Sequence, residues 1–130
     1  MSDRPSPLKK VTLHAARSKL FPEGSIRHGY NFIAPLTADG HIDLEAWKGR
    51  RGECFARRFW GDEPDERGLL VHRAGGRGGS TWRFELGVGS KLDEEEDGFR
   101  FDDHAFREGE YVSIRDEDAE LVTFRVVSVK

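Results

Sequence analysis

Val112 and Ile114 alternate with Ser113 and Arg115, and Val122, Phe124 and Val126 alternate with Thr123 and Arg125. A period of two in β-branched and aromatic residues marks strands with one face buried and one face wet. The polar break at residues 116–120 between the two runs reads as the turn of a hairpin. Long helices and a parallel, doubly covered sheet are excluded for this part of the chain, because those patterns lack such alternation. The last third therefore constrains the fold to a twisted antiparallel sheet or barrel. It does not by itself specify a chemistry.

The same alternation recurs upstream. Residues 8–17 place Val11 and Leu13 against Thr12 and His14, and residues 26–36 place Tyr30, Phe32 and Ala34 on one face. Pro35 marks the end of that second strand, since proline cannot donate to a ladder. Residues 52–60 form a third strand, with Cys54, Ala56, Arg58 and Trp60 on one face and Glu53, Phe55, Arg57 and Phe59 on the other. Residues 68–73, 81–86, 98–102, 111–115 and 121–129 supply the remaining strands. Residues 61–68, rich in acids, glycine and proline, read as a solvated loop. One short helix is expected near residues 42–48, with Asp43 as its N-cap and Gly49 at its end. Leu44, Trp47 and Ile42 would form its buried side. The fold class is all-β: a small, partly closed antiparallel barrel of about six to eight strands with one short helix.

A chain of 130 residues fits one domain, here residues 8–130 behind a loose tail at 1–7. Folding at this size buries roughly two thirds of the unfolded surface, enough for one core without disulfide or metal. Nine Phe and three Trp supply its bulk, although 35% of the residues are charged. Cys54 stands alone, so neither an internal disulfide nor a cysteine-rich zinc site is expected. No apolar run approaches the ~20 residues of a membrane helix, and the polar N-terminus does not read as a signal peptide. The expectation is a cytoplasmic protein without cofactor, metal or membrane partner.

Charge is uneven along the chain. Residues 48–83 carry nine basic and five acidic side chains, a net +4, whereas residues 84–130 carry six and fourteen, a net −8. The basic segment contains the candidate binding residues: Arg50, Arg51, Arg57, Arg58, Trp60, Arg73, Arg77 and Arg83. Small β-barrels that hold nucleic acid combine cations for phosphates with aromatic faces for bases. The competing reading is structural, with arginine stems lying across core rings. The glycine-rich stretch 73–80 lacks the lysine and following helix of a phosphate loop, so it reads as a hairpin loop carrying Arg77.

Other motifs are weaker. Asp93, Glu95 and Asp97 resemble a calcium-loop spacing, but His104 stands where the closing glutamate belongs. The five histidines show no metal spacing; His28 and His104 could serve as acid or base only if the fold brought them together. Adjacent Asp102 and Asp103 point to opposite faces of a strand and do not form a dyad. The leading expectation is a non-catalytic protein-interaction or regulatory module, marked by an exposed apolar edge strand. The alternative is an RNA or ribonucleoprotein-binding module, marked by a contiguous arginine face with an exposed tryptophan. A small His-dependent hydrolase or isomerase comes last.

Overall fold

The computed structural model of the protein describes residues 6–73, 81–87, 99–101, 104–116 and 120–130. Eight strands form a closed antiparallel barrel in which every strand pairs with its neighbours in sequence. They are β1 (Leu8–Ala15), β2 (Ser25–Pro35), β3 (Phe55–Trp60), β4 (Glu63–Arg73), β5 (Thr81–Leu86), β6 (Phe99–Phe101), β7 (Tyr111–Arg115) and β8 (Leu121–Val129). Pairing of β1 with β8, from Val11 opposite Val129 to Ala15 opposite Phe124, makes the closure complete rather than partial.

Alternation sends Val11, Leu13, Tyr30, Phe32, Ala56, Leu70, Phe84, Val112, Ile114 and Phe124 inward, where all are buried. Eight strands leave an interior just wide enough for side chains to fill. Rings fill it here: the Tyr30–Phe84, Tyr30–Phe124, Phe32–Phe84 and Phe32–Phe106 centroids lie 5.1–5.2 Å apart, in the tilted and edge-on contacts that aromatic pairs favour. The tight curl of the wall needs glycine at Gly68, where a Cβ would stand 1.7 Å from the Glu85 carbonyl oxygen.

The expected helix is present as α1 (Leu44–Gly49), one turn and a half long. The Asp43 carboxylate accepts from the Ala46 amide at 3.1 Å and caps it. Such a short helix holds only by docking. Trp47 supplies that contact: it is buried, donates Nε1–H to the Leu70 carbonyl at 3.1 Å and meets Trp82 edge-on. The helix thus plugs one end of the barrel, beside the end of β4 and the start of β5. Phe106 donates its amide to the Gly40 carbonyl at this same end.

Two expectations fail. Residues 51–53 form a single 3-10 turn held by the Glu53-to-Arg50 and Cys54-to-Arg51 amide bonds, so β3 starts only at Phe55. Residues 63–68 are strand, not loop, because their acids pair across to β3: Arg58 bonds Glu66 at 3.1 Å and Arg57 meets Asp65 at 3.5 Å. Opposite charges on facing strands stabilise a ladder whatever the composition suggests. Pro64 is tolerated because a bulge sits there, with Arg58 opposite Glu66 but Trp60 opposite Glu63. Among the described residues no helix is long and apolar enough to cross a membrane.

Candidate functional site

The outer wall over β1–β4 gathers cations and rings in rows fixed by register. One row reads Thr12, Asn31, Arg57 and Arg67, each opposite the next. A neighbouring row holds Lys10 opposite Ile33, and Phe55 opposite Leu69. The row on the other side holds His14 opposite Gly29, and Gly29 opposite Phe59. Between them lies a groove of about 270 Å³ lined by Lys10, Asn31, Ile33, Phe55, Arg57 and Arg67, with wall atoms of Phe32, Ala56 and Gly68 beneath. Among the described residues, three cations line it and no carboxylate does.

Two features of this wall are unusual for a strand surface. Arg57 and Arg67 are direct cross-strand partners, and like charges placed so destabilise a ladder. Asp65 offsets Arg57 from the side, at 3.5 Å. Phe55 is 57% exposed, a large ring left in water beside the groove. Phe59 behaves differently. Its ring covers Gly29, whose hypothetical Cβ would lie 3.1 Å from it, meets His14 edge-on, and carries the Arg57 guanidinium at 5.2 Å. Phe59 therefore fixes Arg57 in place, while Phe55 remains available.

Arg58, the next residue, points into the barrel. Its guanidinium lies 4.0 Å from the Trp60 ring centroid and 4.9 Å from that of Phe99. Only 13% of its side chain is exposed, and Glu66 takes its charge. Tyr30 lies directly opposite it on β2, and burial pushes the ionisation of that phenol far above the ordinary range. Trp60 completes this end of the lumen against His28, Phe21 and Phe124.

The candidate arginines consequently do not form one surface. Arg50 is engaged by Glu53 through two bonds of 3.0 and 2.8 Å. Arg51 lies over Trp47 at 4.7 Å, at the helix end. Arg57 is on the outer wall, whereas Arg58 and Trp60 are inside. Arg73 ends β4 opposite Thr81. Arg83 is buried on β5, opposite Val71 and Arg100. Arg77, the glycine-rich loop at 74–80, the acidic stretch at 93–98 and the pair at 102–103 lie outside the described residues. Trp60 and Trp82 both face the interior, so the exposed aromatic of the basic segment is Phe55. Lys10, Asn31, Phe55 and Arg67 escaped the sequence reading. The parity of Lys10, Asn31 and Phe55 was visible, but Arg67 fell in the expected loop 61–68, and only register brings β1 and β4 residues beside Arg57.

The acid–base pairing of His28 with His104 is not formed. His28 lies at the Trp60 end, whereas residues 104–110 run past the helix end, where Phe106 bonds Gly40. The His28 imidazole is held below its ordinary pKa by burial and then by Arg27 and Arg58. Its Nδ1 and the Ser25 hydroxyl share a hydrogen bond of 2.7 Å, and the same oxygen accepts the Arg27 amide. This is a local clasp over residues 25–28, which bulge out between Ala15 and His14. Burial pushes the Cys54 thiol up to about 11, which disfavours the reactive thiolate. Among the described residues no three His, Cys, Asp or Glu side chains group closely enough to hold a metal ion. Comparison of the chain with protein-family models, curated proteins and solved structures found no match.

Proposed function

We propose that the chain is a non-catalytic binding module whose working surface is the outer wall of β1–β4, and that its partner is an extended anion. The reading rests on one observation above the others: Arg57 faces Arg67 directly, with Lys10 beside them and, among the described residues, no carboxylate lining the groove. A like-charged pair costs stability in the ladder. Departures of this kind from local consistency concentrate at functional sites. The lumen is a poor alternative, because rings occupy its axis and Glu66 already holds Arg58. Closure also weakens the expected route to a protein partner, since a closed barrel offers no edge strand for another chain to extend.

Backbone amide NMR of the full chain titrated with inorganic polyphosphate tests this. Salt-sensitive shifts are expected at Lys10, Asn31, Phe55, Arg57 and Arg67. Shifts confined to the Trp60 end, or no shifts at low salt, would overturn the proposal.

A further inference from the structure

We infer that the extended anion is a single strand of nucleic acid, with phosphates on Lys10, Arg57 and Arg67 and one base on the open face of Phe55; this rests on the wall being the binding surface. Charge alone accounts for the cations but not for Phe55. A ring 57% exposed, with apolar Leu69 opposite it and Ile33 along the groove, offers a flat face rather than a recess. Flat faces suit nucleobases, every one of which has a π-surface to stack. Aliphatic or acidic peptide side chains gain less there, and the edge-pairing that small β domains use for peptides is absent from a closed sheet. Size agrees. At about 270 Å³ the groove falls below the ~300–1,000 Å³ that drug-sized ligands occupy, so it suits a chain lying across it rather than a whole cofactor held inside. Asn31, beside Arg57 in the same row, adds an amide that both donates and accepts, suited to a base edge.

Fluorescence anisotropy of the full chain with a labelled pyrimidine RNA of about ten nucleotides decides the matter. Three phosphate contacts on a single strand give a log–log salt slope of about −2, or about 20-fold weaker binding between about 50 and 200 mM salt. Arg67→Ala is expected to reduce that slope by about 0.7. Phe55→Ala is expected to weaken RNA binding about tenfold at every salt concentration, with the slope unchanged and polyphosphate affinity unaffected. Because Phe55 is exposed, the variant should retain the parent amide spectrum outside the groove. If Phe55→Ala binds RNA as tightly as the parent, or an oligoglutamate of equal charge competes equally well, the nucleic-acid inference fails while the wall stands. If neither RNA nor polyphosphate binds, the wall reading fails and takes this inference with it.

Discussion

Arg57 and Arg58 are neighbours in sequence, yet they inhabit different media. Arg58 lies in the lumen between Trp60 and Phe99, with Glu66 as its counter-ion. Arg57 lies on the outer wall, leaning on Phe59 and facing another arginine. The lumen pairs its arginine with Glu66 directly opposite, while on the wall Arg57 faces Arg67 and meets Asp65 only from the side, at 3.5 Å. A buried cation must be paired or it destabilises the fold. A cation in water is under no such constraint and can be positioned for a partner. The difference separates a residue that specifies structure from one that is free to recognise, although both occur in the same dipeptide.

The most severe way to break this contrast is to remove a lumen ring. Phe124→Ala should cost about 3–5 kcal/mol, because Phe124 is fully buried against Tyr30 and Trp60. Phe55→Ala on the wall should stay within about 0.5 kcal/mol. Urea unfolding of both variants measures the gap, and equal losses would mean that the inside and outside of β3 or β8 have been exchanged. Next in size is the arginine pair itself. Arg58→Ala removes a packed stem and leaves Glu66 without its partner, for a loss of about 2–3 kcal/mol. Arg57→Ala should fall within about 0.5 kcal/mol of the parent in either direction, since it loses Asp65 but relieves Arg67. Similar midpoints for the two variants would remove the distinction between wall and lumen.

The smallest effect sharpens the comparison through pH. Burial lowers the pKa of His28 and His72, next to lumen tryptophans, and of His14 on the wall, all from an ordinary value of 6.5. Lowered folded-state values mean that the unfolded chain binds protons first. Stability should therefore be complete above about pH 6.5 and decline as pH falls through the folded-state values. Carboxylates such as Asp43, held low by Ser6 and the helix amides, contribute only further down, near and below their ordinary range of ~4. Urea midpoints measured from pH 7.5 to 5 should slope downward, with the slope shallower in His28→Gln and His72→Gln. A flat profile in the parent would contradict the burial of these rings.

Much of the barrel was legible in advance because alternation is local. β5, β7 and β8 begin and end where their patterns do, and Asp43 caps the helix where its position suggested. The first half of β4 was missed because acids and proline resemble a loop until Arg57 and Arg58 are placed opposite them. Closure was only partly visible, since nothing local announces that β1 meets β8. The wall was the least legible part. Parity put Arg57 and Arg58 on opposite faces, but the juxtaposition with Lys10 and Arg67 depends on register between strands. Phe55 misled in the usual way, because an aromatic residue in a strand reads first as core.

The seam between β1 and β8 also governs the order in which the protein can assemble. β8 is the last strand to be synthesised, and it alone joins β7 to β1. Until it arrives, both strands carry unpaired backbone groups, the condition under which nascent sheets recruit neighbouring chains. The pairing also spans nearly the whole sequence, so its loop-closure entropy makes folding slow compared with helical domains of this size. Exposure of these edges to neighbouring chains therefore ends only when β8 docks.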